Sequence, residues 1–371
     1  MCIRGDPPTS MDTIERIRTS IAQVRDPDVA ATLSELNAIH DIQLRDGVVK
    51  LYLELIPPLQ WVARHIDLSC REAIAASVPG VDVHIFVRER EIPRTTPSTV
   101  LPGVKNLIAI ASGKGGVGKS TIAVNLAVAM AQAGATVGLL DADIYGPSAP
   151  TLLGLQGMPL HARKDERGHI IGVPHERYGI RVASMGFVLQ REQAAILRGP
   201  LLAGYFTTLV EQIDWGELDF LIFDLPPGTG DIQLTLAQKV PLTGAVLITT
   251  PQELSLADVR RSATMFRRVN VPVLGIVENM SYFVCPTCAH RIPVFGEGGG
   301  EALAEEVGAP LLERLPLDPI LQRASDEGIP VVEHPTGEHF RALFHTLARA
   351  LAREIRRRHY HHQSPPMEIT L

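Results

Sequence analysis

The sequence predicts an α/β fold with a mostly parallel sheet flanked by helices, preceded by a small α+β domain. From LIAIA onward, short apolar runs such as FLIFD and AVLIT alternate with stretches of helical periodicity. Apolar strands interleaved with helices are typical of a parallel sheet that is buried on both faces. Before that point, helical patterns at residues 12–24 and 60–77, a strand pair around RDG and the strand VDVHIFV indicate a smaller domain at residues 11–91.

Composition and charge fit an ordinary globular protein. The chain has 371 residues, of which 45% are hydrophobic and 20% charged, and its formal net charge is -6. That charge argues against binding nucleic acid through bulk electrostatics. The apolar runs are much shorter than the roughly 20 residues that span a bilayer, and the opening MCIRGDPPTS has no signal-peptide character. We therefore expect a cytoplasmic protein with no nucleic-acid partner and no stable membrane association.

The expected boundaries follow changes in composition along the chain. Charged residues mix with Pro, Ser and Thr at residues 92–105 without apolar periodicity, which indicates a linker. The larger domain is expected at residues 106–358 and ends in an amphipathic helix. Because Met11 offers an alternative start, residues 1–10 are expected to be a disordered extension, and residues 359–371 a disordered polar tail.

A glycine-rich segment lies between the predicted strand LIAIA and the helix that follows it. Its spacing, one Gly, four residues, then Gly-Lys-Ser, predicts a P-loop, in which backbone N–H groups and a helix N-terminus bind phosphate. Lys119 then neutralises the β- and γ-phosphates, and the Ser120 hydroxyl binds Mg²⁺. A glycine-rich turn without a ligand is the alternative that the strand and helix context disfavours. The expected nucleotide-binding residues are Gly113, Lys114, Gly115, Gly116, Val117, Gly118, Lys119, Ser120 and Thr121.

Three aspartates come directly after predicted strands of the same sheet. Asp141 and Asp143 lie in LLDADIYG, and Asp224 ends FLIFD. Ligands bind in doubly wound sheets at the carboxyl ends of the strands. We expect Asp224 to hold Mg²⁺ through water, Asp143 to orient the attacking water as a catalytic residue, and the N–H of Gly228 to contact the γ-phosphate. For Asp141, capping of a helix is the better explanation.

The segment GKGGVGKS resembles the deviant Walker A motif of the MinD/ParA-type ATPases. That resemblance implies a homodimer that encloses ATP, in which Lys114 reaches the partner's nucleotide and stabilises transition-state charge. It also implies that Asn279, just beyond the strand VLGIVE, reads the adenine edge. On chemistry alone, a buried asparagine that satisfies a turn explains Asn279 almost as well.

The four cysteines are too few and too unevenly placed for a disulfide-stapled fold. Cys285 and Cys288, in CPTC, can bind one metal centre together, but tetrahedral zinc or an iron–sulfur cluster requires four ligands. His290 is the nearest further candidate and fits a turn histidine better. A two-fold axis near the pair would assemble four thiolates from two subunits. Redox chemistry is disfavoured because no helix begins at the pair, whereas zinc and iron–sulfur both stay open.

The segments GKGGVGKS, DADIYGPS, DLPPGTGD, NMSYFVCPTC and FGEGGGEALA together resemble the Mrp/ApbC family of iron–sulfur cluster carrier ATPases over residues 106–335. The resemblance implies that a [4Fe-4S] cluster bridges two subunits through Cys285 and Cys288. It further implies that the cluster passes to apo iron–sulfur proteins, that cluster assembly factors are partners, and that ATP hydrolysis is needed for transfer. The N-terminal domain, with DPDV after its first helix, resembles a small iron–sulfur-assembly-associated domain. Cys70 departs from that domain's usual cysteine position and is expected to be a core residue.

Two other functions stay open from the sequence. A MinD/ParA-type positioning ATPase would use the C-terminal amphipathic helix and the following RRRHYHHQ on an anionic membrane. That interpretation leaves the cysteine pair without a purpose. A zinc-bridged regulatory ATPase would use the same thiols for a different metal.

Overall fold

The computed structural model describes residues 10–92, 100–144, 146–164, 168–188, 209–228 and 230–363. The chain divides into two compact units. The first comprises Met1–Pro93 together with Ala352–Leu371, and the second comprises Arg94–Leu351. The C-terminal residues therefore belong with the N-terminal ones, which the sequence did not indicate.

The first unit is built on a three-stranded sheet. β1 (Ile39–Arg45) and β2 (Val48–Leu55) form the predicted antiparallel hairpin, and β3 (Asp82–Glu89) pairs with β2 in parallel. Asp46 and Gly47 make the turn with φ angles of 49° and 77°. Two positive φ angles give the turn whose twist matches that of the flanking strands, so RDG folds as the sequence predicts.

Two helices cover one face of this sheet and enclose the core of the unit. They are α1 (Ser10–Ala22) and α2 (Ala63–Ser77). β2 alternates as expected, with Leu51 buried and Lys50 exposed. Cys70 is fully buried on α2, and burial raises the pKa of its thiol to about 12. The prediction that Cys70 is a core cysteine is confirmed.

The second unit contains a large sheet and two short strand pairs. Its strands are β4 (Val104–Ser112), β5 (Val137–Asp141), β6 (His161–Lys164), β7 (Ile170–Val173), β8 (His175–Arg177), β9 (Ile180–Ser184), β10 (Leu218–Asp224), β11 (Gly244–Thr249), β12 (Val273–Glu278), β13 (Phe283–Val284), β14 (Arg291–Ile292) and β15 (Leu311–Arg314). The large sheet has the order β15-β12-β11-β4-β10-β5-β9-β8. Its pairs are parallel except that of β8 with β9, so the predicted mostly parallel sheet is confirmed.

Helices lie between most of the parallel strands, as the sequence predicts, and the last two helices follow β15, the final one extending into the first unit. The helices are α3 (Lys119–Gln132), α4 (Ala149–Leu152), α5 (Asp231–Lys239), α6 (Glu253–Arg268), α7 (Gly299–Val307), α8 (Pro319–Glu327) and α9 (Glu338–Gln363). Among the helices of the described residues, none combines the length and the hydrophobicity that a bilayer span requires.

The ends of the chain and the linker differ in part from the expected boundaries. Helix α9 continues to Gln363, so residues 359–363 are helical rather than part of a disordered tail. The rest of that tail, residues 1–9 and residues 93–99 of the linker lie outside the described residues. Strand β4 begins at Val104, two residues before the expected start of the larger domain.

The register of the central strands brings the predicted phosphate site together. Asp224, at the end of β10, pairs with Asp141 at the end of β5 and with Ile110 of β4. β4 leads directly into the glycine-rich loop and α3. The carboxylates and the loop therefore share the carboxyl edge of the sheet, as expected for a parallel α/β fold.

Candidate functional site

The glycine-rich loop connects β4 to α3, and its packing requires glycine at particular positions. Gly116 and Gly118 have φ angles of 81° and 83°, which favour glycine because other residues are strained there. A Cβ atom added to Gly118 would meet Asn279 Nδ2 at 2.3 Å, and one added to Gly113 would meet Asp258 Cβ at 2.3 Å. The loop thus lies tightly against two neighbouring elements, and α3 begins directly after it.

Lys119 and Asp224 form a buried ion pair at the start of α3. Lys119 is 6% exposed and Asp224 1% exposed. The Lys119 ammonium donates to Asp224 Oδ1, and it also donates to Ser120 Oγ at 3.2 Å. The structure therefore brings together the cation, hydroxyl and carboxylate that the sequence assigned to phosphate and Mg²⁺.

Asp141 has the helix-capping role that the sequence favoured. Its Oδ2 accepts hydrogen bonds from the backbone N–H groups of Ser148 and Ala149, both at 3.0 Å, at the start of α4. The same oxygen accepts from Ser184 Oγ at 3.0 Å, while Oδ1 accepts from the N–H of Asp143 at 3.1 Å. Asp141 therefore orders the loop that carries the predicted catalytic aspartate.

The buried carboxyl groups have raised pKa values. Burial, reinforced by the charge of Asp224, raises the pKa of Asp141 to about 7. Burial also raises the pKa of Asp224, although the neighbouring Lys119 opposes this shift. Asp143 is only half-buried, and its Oδ1 accepts from the N–H of Gly146 at 3.2 Å. Of the three aspartates, Asp143 is thus the one with access to solvent.

Two further residues predicted to contact nucleotide lie at the edge of this site. The N–H of Gly228 donates to the carbonyl oxygen of Ser112 at 2.9 Å, so a bond to phosphate requires that contact to open. The Lys114 carbonyl accepts from Ser112 Oγ at 2.9 Å, and the Lys114 side chain makes no ion pair with a described residue. Its charge is therefore available for a ligand or a second subunit.

Asn279 is buried directly behind the glycine-rich loop. Its Nδ2 donates to the carbonyl oxygen of Val117 at 2.9 Å, and its backbone N–H donates to the carbonyl oxygen of Thr249 at 2.8 Å. Its Oδ1 is buried without a hydrogen-bond partner among the described residues. One half of the amide therefore holds the loop, and the other half is an acceptor that the expected adenine contact would satisfy.

Cys285 and Cys288 lie in the turn that joins β13 to β14. Cys285 is half-buried and Cys288 exposed. The N–H of Cys285 donates to the carbonyl oxygen of His290 at 3.0 Å, and that of Ala289 donates to Cys285 at 2.9 Å. The N–H groups of Cys288 and Thr287 lower the pKa of the Cys285 thiol, which favours the thiolate that metals bind.

This turn supplies only two ligands, and several exposed side chains near it are apolar. Among the described residues of one chain, no group of three or more His, Cys, Asp or Glu side chains is placed to hold a metal ion. His290 contributes its carbonyl to the turn, in agreement with the turn histidine that the sequence favoured. Large exposed apolar patches often mark contact surfaces. The exposed apolar side chains of this region are Val284, Ile292, Val294 and Phe295.

Glu278, the last residue of β12, is a buried site residue that no sequence motif identifies. It is 1% exposed. Its Oε1 accepts from Ser281 Oγ at 2.5 Å and its Oε2 accepts from the N–H of Gly300 at 2.6 Å. A charged residue closing the apolar run VLGIVE was the available signal, because buried carboxylates need specific partners.

The basic C-terminal residues that supported the membrane alternative have partners inside the first unit. Arg356 is 0% exposed and forms ion pairs with Asp26 and Asp28 of the DPDV segment. The Arg357 Nε donates to the carbonyl oxygen of Asp28 at 2.8 Å. The helix end is therefore part of a protein core, and the observation that favoured a membrane-bound positioning ATPase is lost.

Comparisons with known proteins show the families that the two parts of the chain match. Residues 103–352 match the family described as NUBPL iron-transfer P-loop NTPase, and residues 14–85 match the family described as iron-sulfur cluster assembly protein. The iron-sulfur cluster carrier protein of Synechocystis sp. is 46% identical over 338 residues, which are 90% of this chain and 95% of that protein. The protein of the same name from Escherichia coli strain K12 is 39% identical over 91% of this chain and 90% of its own length.

One solved structure is informative at the level of both sequence and fold. It is a nucleotide-binding protein from Archaeoglobus fulgidus in complex with ADP, with a TM-score of 0.56 and 39% sequence identity to this chain. The similarity covers 67% of this chain and 97% of that one. The relative thus corresponds in length to the second unit.

Proposed function

The chain belongs to the family of NUBPL iron-transfer P-loop NTPases, and we propose that it hydrolyses ATP in order to carry a [4Fe-4S] cluster to apo iron–sulfur proteins. One observation carries this proposal. A single chain combines a complete P-loop with a two-thiol turn that supplies half of the ligands a cluster requires. The activity belongs to the cytoplasm, where thiols stay reduced.

The residues at the start of α3 fit ATP and Mg²⁺. Ser120 Oγ and the Asp224 carboxylate are oxygen donors of the kind that Mg²⁺ prefers. Mg²⁺ supplies neutralisation of phosphate charge when it is bound. Lys119 exchanges Asp224 for phosphate oxygens, while the N–H groups of the loop and of α3 bind the phosphate chain.

Hydrolysis requires a group that orients water and a charge that stabilises the transition state. Asp143 takes the first role, since it alone of the three aspartates is accessible and its backbone is fixed by Asp141. Lys114 supplies the stabilising charge: in a homodimer it reaches the nucleotide of the other subunit, as a cation provided in trans does. Gly228 contributes its N–H to the γ-phosphate once its bond to Ser112 opens.

The cluster is the cargo, and two subunits are needed to bind it. Cys285 and Cys288 of each subunit together supply four thiolates on a two-fold axis. The turn keeps the Cys285 pKa low, and the apolar side chains around it suit a contact between subunits. The exposed position of Cys288 suits release of the cluster to an apo-protein.

Anaerobic reconstitution with iron and sulfide tests the proposal. Wild type is expected to bind roughly two iron atoms per chain, as one [4Fe-4S] cluster per dimer, and to transfer them to an apo-protein in the presence of ATP. Cys285→Ala/Cys288→Ala is expected to bind none, whereas Cys70→Ala serves as the control that retains the cluster. Binding of zinc alone, which indicates the zinc-bridged alternative, or a cluster that survives the double substitution contradicts the proposal.

A further inference from the structure

Two successive buried residues at the end of β12 contact both halves of the proposed machinery. Asn279 donates to the carbonyl oxygen of Val117 inside the P-loop at 2.9 Å. Glu278 accepts from Ser281 Oγ and from the N–H of Gly300. Ser281 comes shortly before β13 and Gly300 lies in the first turn of α7, so the Glu278 carboxylate holds both ends of the segment that carries the cysteine pair.

Both residues lie close to a glycine of the neighbouring element. A Cβ atom added to Gly118 would meet Asn279 Nδ2 at 2.3 Å, and one added to Gly300 would meet Glu278 Oε2 at 2.7 Å. At the contact between Gly118 and Asn279, close-packed atoms transmit strain because they have no free space in which to relax. The loop backbone beside Val117 cannot approach Asn279 further without moving it.

The backbone around these residues is fixed to the edge of the sheet. The N–H of Ser281 donates to the carbonyl oxygen of Leu315, and the N–H of Leu315 donates to that of Glu278, both at 2.9 Å. The N–H of Leu317 donates to the carbonyl oxygen of Tyr282 at 2.7 Å. Contacts therefore run from the Val117 carbonyl through the neighbouring residues Asn279 and Glu278 to Ser281, which comes shortly before β13.

We propose that Asn279 and Glu278 relay the occupancy of the P-loop to the Cys285–Cys288 turn, so that nucleotide changes the accessibility of the two thiols. Phosphate orders the N–H groups of the loop, and the Val117 carbonyl turns with the same backbone. Asn279 follows that carbonyl, and Glu278 passes the change to Ser281 and Gly300. The importance of the relay for cluster delivery rests on the proposed function, but the relay itself belongs to the cluster-free protein.

The test is the rate at which iodoacetamide alkylates Cys285 and Cys288 in the full-length, cluster-free chain, with and without saturating ADP, measured by peptide mass spectrometry. A coupling of ordinary size changes the wild-type rate about fivefold. Asn279→Ala is expected to abolish this response even at ADP concentrations shown by titration to saturate the variant. The buried Cys70 is the internal control, since it stays unreactive while the protein is folded.

Ser281→Ala provides a second variant outside the nucleotide site. It is expected to bind ADP within about twofold of wild type and to lose most of the fivefold response. Ser325→Ala is the matched control, because Ser325 Oγ also donates to one partner, the carbonyl oxygen of Leu321 at 2.7 Å, away from the path. It is expected to respond as wild type does, and a lost response in this control overturns the assigned route.

The remaining outcomes separate the relay from simpler roles. An Asn279 that only contacts adenine would weaken ADP binding yet show the full thiol response at saturation, which overturns the relay. Wild-type thiols that ignore ADP, or a Ser281→Ala variant that responds fully, overturn it as well. Should Asn279→Ala not reach saturation, Ser281→Ala alone decides. A protein that fails to bind a cluster but shows the relay refutes only the proposed function.

Discussion

Replacing Arg356 by alanine tests whether the end of α9 is an integral part of the first unit. Arg356 is 0% exposed, and its guanidinium forms ion pairs with Asp26 and Asp28 and donates a hydrogen bond to the carbonyl oxygen of Ile56. Arg356→Ala leaves two carboxylates buried without their cation. Removing one partner of a buried ion pair costs about 3–5 kcal/mol, mostly because the remaining charge is left uncompensated.

The two tryptophans of the chain allow each unit to be followed separately, since Trp61 lies in the first and Trp215 in the second. In a Trp215→Phe background, Trp61 fluorescence reports urea unfolding of the first unit. If the free energy of unfolding falls by about 4 kcal/mol and depends on urea with a slope of about 2 kcal/mol/M, the urea midpoint of unfolding is lowered by about 2 M. Arg353→Ala, at an exposed position of the same helix, is the control and is expected to cost less than about 0.5 kcal/mol. An Arg356→Ala midpoint within about 0.5 M of the background would show that the end of α9 is not an integral part of the first unit.

Three further predictions concern the nucleotide site. Lys119→Ala is expected to abolish ATP hydrolysis and cluster transfer while leaving cluster binding intact, as measured by phosphate release and iron content; a variant that cannot assemble a cluster contradicts the division between the two sites. Gly118→Ala, at φ 83° and against Asn279, is expected to lose about 1–2 kcal/mol of stability together with ADP affinity in a calorimetric titration. Gly115→Ala, whose added Cβ meets only Pro227 Cγ at 4.0 Å, is its control and should keep its stability. The pKa of Asp141 is raised to about 7, so between about pH 4 and about pH 7 the folded protein holds a proton that the unfolded chain has released. Binding of this proton stabilises the folded state at low pH, and the stabilisation is lost as pH rises through about 7. The thermal midpoint of wild type should therefore fall more between about pH 6 and about pH 8 than that of Asp141→Asn, and equal falls would contradict the assignment.

The fold and the succession of strand, glycine-rich loop and helix were predictable because their signals are local. Apolar runs specify the strands of a doubly buried sheet, and the spacing from Gly113 to Ser120 specifies a strand, a loop and a helix in succession. The capping role of Asp141 follows from its place between a strand and a short helix. Each of these inferences depends on neighbouring residues in the chain.

The contacts that escaped prediction join residues distant in sequence. Arg356 pairs with Asp26 across 330 positions, and RRRHYHHQ looks like a basic, solvated tail when only its neighbours are considered. Glu278 has no motif, and its partner Gly300 is identified only when β12 and α7 are in place. Side chains that neutralise or tie distant segments leave little trace in periodicity, because a single position carries the whole interaction.

The cysteine turn and the glycine-rich loop are both held by residues at the end of β12. In parallel α/β units, the loop from a strand to the next helix usually has about 2–6 residues, whereas residues 279–298 separate β12 from α7. Glu278 bonds both ends of this long connection, so α7 starts close to the end of β12 although a hairpin lies between them. The same strand end positions Asn279 against the P-loop. The two buried side chains at the end of β12 therefore connect the cysteine turn to the glycine-rich loop, and the long connection leaves the packing of that loop undisturbed.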